Sequence, residues 1–122
     1  MLLALIDAGL TPLPFFEGSY TSRLEFLTEL PEGKILAHMD QVDIAMFKKV
    51  LGDRICFWGN VPGSILIAGT KAQTGDYVKR LIDTFGDNGG LIVDGSIEGI
   101  PSQARMENVM AMIETAHDYG KY

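Results

Sequence analysis

The stretch that decides the fold is Gly52 to Ser64, which reads G-D-R-I-C-F-W-G-N-V-P-G-S. A glycine ends a helix there, and the apolar run Ile55–Trp58 that follows is typical of a buried strand. The chain then turns sharply through Gly59-Asn60 and a Pro-Gly pair, and a new apolar segment begins at Ile65. This pattern indicates a junction between a strand and a helix, and it recurs at three other places in the chain.

Strands and helices are predicted to alternate along the chain. Apolar runs predict four strands, at 10–16, 35–39, 55–58 and 91–93. Helical patterns cover 2–9, 19–30, 42–51, 70–85 and 106–116, and a short helical or turn segment covers 62–68. Because short strands that are apolar on both faces belong to a parallel sheet covered by helices, the predicted class is α/β. A doubly wound flavodoxin-like sheet and half of a (βα)8 barrel both fit this pattern.

Two helix starts carry capping signals. Asp40 is predicted to be the N-cap of the helix that ends at Gly52, with Asp43 complementing the helix dipole. Thr70 and Gln73 form a capping-box pattern, with the hydroxyl at the N-cap and the amide three residues later. The last helix carries one apolar face, which consists of Met106, Val109, Met110, Ile113 and Ala116.

The composition excludes several classes of partner. The 122 residues are 47% hydrophobic and 21% charged, which is ordinary for one globular domain spanning 1–122. A net charge of −6 argues against nucleic acid and against an anionic membrane surface. No apolar run approaches the roughly 18 residues that cross a bilayer. The single cysteine, Cys56, forms no internal disulfide, so a reducing cytoplasmic location is expected.

Polar side chains follow all four predicted strands. In parallel α/β folds the working residues lie at the carboxyl ends of the strands. The candidates are Glu17, His38, Asp40, Cys56, Trp58, Asn60, Asp94, Ser96 and Glu98. This convergence predicts a site for a small molecule without naming its reaction.

Three of these candidates are assigned catalytic roles, and the other six are assigned to substrate binding. Asp94 is the main candidate for an acid, a base or a substrate ligand, because it ends a strand and precedes a glycine. His38, on the same side of its strand as Asp40, and Glu17 are the other two catalytic candidates. Each candidate also has a structural interpretation: Asp40 as a helix cap, His38 as a hydrogen-bonded residue near the core, and Cys56 as a small core residue.

Signals for tightly bound cofactors and metals are missing. Neither G-x-G-x-x-G nor G-x-x-x-x-G-K-[ST] occurs, so dinucleotide and phosphate-loop functions are unsupported. One cysteine and two distant histidines do not form a recognisable set of zinc ligands, so no metal site is predicted.

Three segments resemble the C-terminal half of the uroporphyrinogen decarboxylase superfamily. They are I-C-F-W-G-N-V-P at 55–62, G-T-K-A-Q…Y-V-K-R-L-I-D at 69–83, and G-G-L-I-V-D-G-S-I-E-G-I-P…E-N-V-M-A-M at 89–112. The most specific motifs are Gly59-Asn60 and Glu107-Asn108. The superfamily, which also contains zinc-dependent methyltransferases that act with corrinoid proteins and thiols, has a (βα)8 barrel fold. The resemblance therefore implies the last four βα units of such a barrel.

The chain departs from both activities of that superfamily. The methyltransferases carry a His-x-Cys pair before the Gly-Asn turn, where this chain has Cys56 and Trp58. The decarboxylases carry Gly-His-Gly in the loop that here reads Ser96–Gly99. The resemblance implies first a methyltransferase-like domain without zinc ligands, linked to a corrinoid on a partner protein or to tetrahydrofolate. The alternatives are a porphyrinogen decarboxylase, and a non-catalytic half-barrel that acts as an assembly partner.

A half-barrel of four strands leaves two unpaired edge strands and one uncovered sheet face. We therefore expect a homodimer or a higher oligomer that buries these surfaces. Pro12 and Pro14 weaken the first strand or place it at an edge, where a missing N–H is tolerated.

Overall fold

The computed structural model describes residues 1–121 and contains one sheet of four parallel strands. The strands are β1 (Phe15–Ser19), β2 (Leu36–Gln41), β3 (Cys56–Trp58) and β4 (Leu91–Ile92), in the order β1-β2-β3-β4. The helices are α1 (Leu2–Asp7), α2 (Ile44–Leu51), α3 (Gly63–Ala68), α4 (Lys71–Phe85) and α5 (Met106–Tyr119). A doubly wound sheet reverses its strand order at a switch point, whereas barrel strands follow the chain order. The predicted α/β class and the half-barrel topology are confirmed.

The first strand begins later than predicted. β1 starts at Phe15 rather than at residue 10, and it lies at an edge of the sheet, as the two prolines indicated. The carbonyl of Pro12 accepts from Leu36 N at 3.2 Å, and that of Pro14 accepts from His38 N at 3.0 Å. Since the N–H and C=O of one residue in a strand point the same way, each proline lacks a donor on the side that faces β2. The ladder there is incomplete, which shortens the strand.

The helical segment predicted over 19–30 is a 3-10 helix, Thr21–Leu27. Leu24, Leu27 and Leu30 are all buried. Their spacing of three residues matches the three residues per turn of a 3-10 helix, so the same leucines fit either form. The pattern therefore predicted the helical segment correctly without deciding its type.

The capping predictions had opposite outcomes. The N-cap of α2 is Asp43, whose Oδ1 accepts from Met46 N at 2.9 Å. Asp40 is not a cap, because β2 continues through it and its Oδ2 accepts from Gly18 N at 2.9 Å. The capping box is confirmed: the Thr70 hydroxyl accepts from Gln73 N at 3.1 Å, and Gln73 Oε1 accepts from Thr70 N at 2.9 Å.

The core lies between the sheet and the helices α2 and α4. Phe57 of β3 stacks on Phe85 of α4 with ring centroids 4.4 Å apart. Phe47 of α2 meets both rings edge-on, at 5.0 and 5.6 Å. Such tilted and stacked aromatic contacts add to the large apolar area that each ring buries. The cluster therefore packs β3 against both α2 and α4.

The opposite face of the sheet remains partly exposed. Strand register places four side chains in one row across it, namely Phe15, His38, Trp58 and Ile92. We call this row the inner-face row, because such positions point into the interior of a closed barrel. Phe15 is 60% exposed and Ile92 is 44% exposed. None of the helices within residues 1–121 is long and apolar enough to cross a membrane.

α5 packs on α4 with a different face from the predicted one. Its buried residues are Asn108, Ala111 and Met112, whereas Met110 and Ile113 are exposed. The apolar pattern failed because one of the buried positions of α5 is polar.

Asn108 is that residue, and it joins α5 to the end of α3. Its Nδ2 donates to the carbonyls of Leu66 and Gly69 at 3.2 and 2.9 Å, and to that of Ile65 at 3.2 Å. The carbonyls of Ile65 and Leu66 also accept from the backbone N–H groups of Gly69 and Arg105. Within residues 1–121, the Gly69 carbonyl at the end of α3 therefore depends on Asn108 alone. The side chain therefore serves as a C-terminal cap supplied by another helix.

We expect Asn108→Ala to lower the free energy of unfolding by about 2 kcal/mol, because the buried Gly69 carbonyl loses its donor. Urea denaturation of the 122-residue chain measures this change. Asn88→Ala is the matched control, since Asn88 is exposed and donates only to Asp53, at 3.3 Å. Its effect should stay within about 0.5 kcal/mol. Equal small effects of both substitutions would contradict the role assigned to Asn108.

Candidate functional site

The sharp turn after β3 brings the ends of two strands together. Gly59 has a φ of 119°, and a Cβ atom there would lie 2.9 Å from the Met39 carbonyl oxygen. Only glycine fits this position. The peptide bond from Gly59 to Asn60 is cis. Asn60 is buried, and its Nδ2 donates to the Asp40 carbonyl at 2.7 Å. The Gly-Asn motif thus joins the end of β3 to the end of β2.

Tyr77 of α4 holds the other end of the same amide. Its hydroxyl donates to Asn60 Oδ1 at 2.9 Å. Burial raises the pKa of Tyr77, against a smaller lowering effect of the Arg80 guanidinium. The phenol therefore keeps its proton at neutral pH and remains a donor. From the sequence, Tyr77 belonged only to the apolar stripe of α4. The phenol could have indicated this role, because a buried tyrosine hydroxyl usually has a hydrogen-bond partner.

A cavity of about 650 Å³ lies at the carboxyl ends of the strands, and we call it the mouth cavity. It brings together five of the nine predicted site residues, namely Glu17, Asp40, Asn60, Ser96 and Glu98. They come from β1, β2, the turn after β3 and the loop after β4. The four strand ends therefore converge on one cavity.

The wall of the mouth cavity carries uncompensated negative charge. Glu17, Asp40 and Glu98 contribute carboxylates, and no Lys or Arg of the described chain lines the cavity. None of these three carboxylates takes part in the ion pairs formed within residues 1–121. The same residues also place no group of three or more His, Cys, Asp or Glu side chains where a metal ion could be held.

The other four predicted residues do not line the mouth cavity. Asp94 accepts from Trp58 Nε1 at 2.9 Å and from Gly95 N at 2.7 Å. Trp58 stacks on His38, with ring centroids 4.2 Å apart and planes 7° apart. Cys56 is the first residue of β3 and lines a smaller cavity near the start of β4. Of the three residues assigned catalytic roles, only Glu17 lines the mouth cavity.

His38 is buried without hydrogen bonds. It is 3% exposed, and neither of its ring nitrogens has a partner in the described part of the chain. The Phe15 ring lies 5.1 Å away, and Trp58 covers it by stacking. Buried polar atoms are usually paired. The structural interpretation of His38 is therefore right about its burial and wrong about its hydrogen bonding.

A second cavity of about 480 Å³ lies between the ends of α4 and α5, near the start of β4. It contains none of the nine predicted site residues. Because parallel barrels bind ligands at the carboxyl ends of their strands, the mouth cavity is the candidate functional site.

Comparison with known proteins gives two matches. The family model of uroporphyrinogen decarboxylase (URO-D) matches residues 6–119. A uroporphyrinogen decarboxylase from Azoarcus sp. (strain BH72) is 29% identical over 80 residues, which make up 66% of this chain and 22% of that protein. The chain therefore spans only about a fifth of the length of that relative.

We expect Tyr77→Phe to reduce the loss of stability at high pH. Because burial raises the pKa of Tyr77, the folded chain keeps a proton that the unfolded chain has lost. This contribution to the free energy of unfolding is fully present below about pH 10, and it is lost as the pH rises through the raised pKa. Urea denaturation at about pH 9 and about pH 11 measures the difference. The variant should also lose about 1 kcal/mol at neutral pH, with its hydrogen bond to Asn60.

Tyr119→Phe is the control for this measurement. Tyr119 donates to Asp83 at 2.8 Å, and this hydrogen bond raises its pKa, but the side chain lies at the surface. Water screens such a contact, so the control should change the pH profile less. Identical profiles for the parent chain and Tyr77→Phe would contradict burial as the cause.

Proposed function

Because the chain belongs to the uroporphyrinogen decarboxylase (URO-D) family, we propose that it is a methyltransferase-like member that binds a small methylated molecule in the mouth cavity. The methyl group passes to a corrinoid carried by a partner protein or to tetrahydrofolate. The observation that supports this proposal is the negative charge of the cavity wall. Three carboxylates line the cavity, and no Lys or Arg of the described residues does. A porphyrinogen with several carboxylates would be repelled there, whereas a neutral or cationic methyl donor would not.

The proposed step transfers a methyl carbon from an oxygen or nitrogen atom of the substrate. The electron pair of the acceptor forms the new bond to carbon, and the leaving atom keeps the pair of the broken bond. That atom takes up a proton unless it carried a positive charge at the start. Glu17 and Glu98 line the cavity and are exposed, so either carboxyl group can reach water for a proton and deliver it.

Zinc does not fit this part of the barrel. Cys56 is the single cysteine, and it lies outside the mouth cavity. No cluster of metal-binding side chains forms within residues 1–121. The proposed step therefore uses no zinc ion.

One observation favours porphyrinogen decarboxylation as a second candidate function. The relative from Azoarcus is named a uroporphyrinogen decarboxylase. That chemistry needs cations to hold the carboxylates of its substrate. Arg23, Arg54 and Arg105 do not line the mouth cavity.

The inner-face row favours a third candidate, in which the chain is an assembly partner without activity. Exposed Phe15 and Ile92 next to unpaired strand edges form a surface that another chain can cover. A homodimer or a higher oligomer would bury this surface. Light scattering distinguishes a dimer near twice 13.3 kDa from a monomer.

We expect the chain to accelerate transfer of the methyl group from a small methylated amine or methyl ether to cob(I)alamin or to tetrahydrofolate. Absorbance measures the first reaction and chromatography the second. With a neutral methyl ether as the substrate, Glu17→Gln combined with Glu98→Gln should slow transfer by about 100-fold, since a positioned acid contributes at least this much. Glu29→Gln is the control, because Glu29 is exposed and lies outside the mouth cavity.

Two other results would contradict the proposal. Consumption of uroporphyrinogen without methyl transfer would support the decarboxylase. Absence of both reactions in a chain that is folded and oligomeric would support the assembly partner.

A further inference from the structure

The lining of the mouth cavity indicates the class of its ligand. We propose that the cavity binds a small organic cation, an amine or a quaternary ammonium group that carries methyl or methylene groups. This inference takes the binding site from the proposed function, but it does not depend on which reaction follows.

The first argument is the placement of the charges. Glu17 comes from β1, Asp40 from β2 and Glu98 from the loop after β4, so the carboxylates reach the cavity from separate strands. No ion pair neutralises them within residues 1–121. With a net charge of −6 on the whole chain, the potential in the cavity attracts cations.

The second argument concerns the remaining polar groups at the floor of the cavity. Both ends of the Asn60 amide are already used, one by the Asp40 carbonyl and the other by the Tyr77 hydroxyl. Tyr77 donates its only proton in this contact. Asn60 and Tyr77 therefore shape the cavity. Asp40 Oδ2 already accepts from Gly18 N, so the exposed carboxylates of Glu17 and Glu98 are the ones that remain available to a ligand.

The third argument separates an organic cation from a metal ion. A divalent metal ion needs several oxygen ligands converging on one point. The described residues contain no such cluster. The cavity wall also includes the apolar side chains of Val42, Ile67 and Ile97. Apolar surface combined with dispersed negative charge suits a cation whose charge is covered by carbon groups.

With this ligand class, the proposed methyl transfer is balanced in electrons and protons. When a methylated ammonium nitrogen loses its methyl group, the nitrogen keeps the electron pair of the broken N–C bond and leaves as a neutral amine. No proton is needed in that step. The carboxylates then act by holding the positive charge before transfer rather than as acids.

The test compares choline with 3,3-dimethylbutan-1-ol, a neutral alcohol of nearly the same shape. Titration calorimetry on the 122-residue chain at low ionic strength should show choline binding at least about tenfold more tightly. Added salt should reduce this preference, because these carboxylates are partly exposed to solvent. Glu17→Gln and Glu98→Gln should each reduce it by about threefold or more, whereas Glu29→Gln should leave it unchanged.

The possible failures of the two proposals can be told apart. Equal binding of the two compounds, or no detectable binding of choline, would overturn the inference about the cation and leave methyl transfer to be judged by its own assay. A choline preference that responds to salt but not to Glu17→Gln or Glu98→Gln would indicate a general surface effect, and it would also overturn the inference. A choline preference that responds to both variants, without methyl transfer, would support the cation site and reject the proposed function.

Discussion

The hydrogen bonds of the Asn60 side chain hold together the part of the structure on which the candidate site depends. β3 has three residues and β4 has two, so the backbone ladder supplies few bonds near the mouth. The Asn60 amide adds one bond to the end of β2 and receives another from Tyr77 on α4. Each such bond contributes only about 1 kcal/mol, but a buried amide without partners would cost more. The arrangement is therefore stable only when the strand ends and α4 are all in place.

The two motifs that carry the family resemblance both act on the scaffold. Asn60 joins strand ends, and Asn108 joins α5 to the carbonyls at the end of α3. Glycine at position 59 is required by a close approach to the Met39 carbonyl. These contacts explain why the resemblance is specific for fold and carries little information about the reaction. The candidate site residues lie instead in the loop after β4 and in the carboxylates around the mouth cavity.

The alternation of elements and the polar strand ends could be predicted from the sequence, because each depends on a local pattern of apolar residues and turns. Contacts between distant segments could not. Asp94 follows its strand as predicted, but Trp58, 36 positions earlier in the chain, takes one of its oxygens. His38 is buried by neighbours on two other strands. Asp40 and Asp43 are equally good caps locally, and only the length of the β2 ladder decides between them.

The orientation of the two prolines before β1 affects whether a further strand can pair with this edge of the sheet. Pro12 and Pro14 point their carbonyls at β2, so Leu13 and Phe15 point their N–H and C=O groups away from the sheet. The two prolines therefore remove N–H donors only from the strand edge that faces β2. The opposite edge of the strand keeps all of its backbone N–H groups. A tandem duplication could add a parallel strand at this edge without a compensating substitution. The backbone of this unit is therefore already suited to enlargement by gene duplication or fusion.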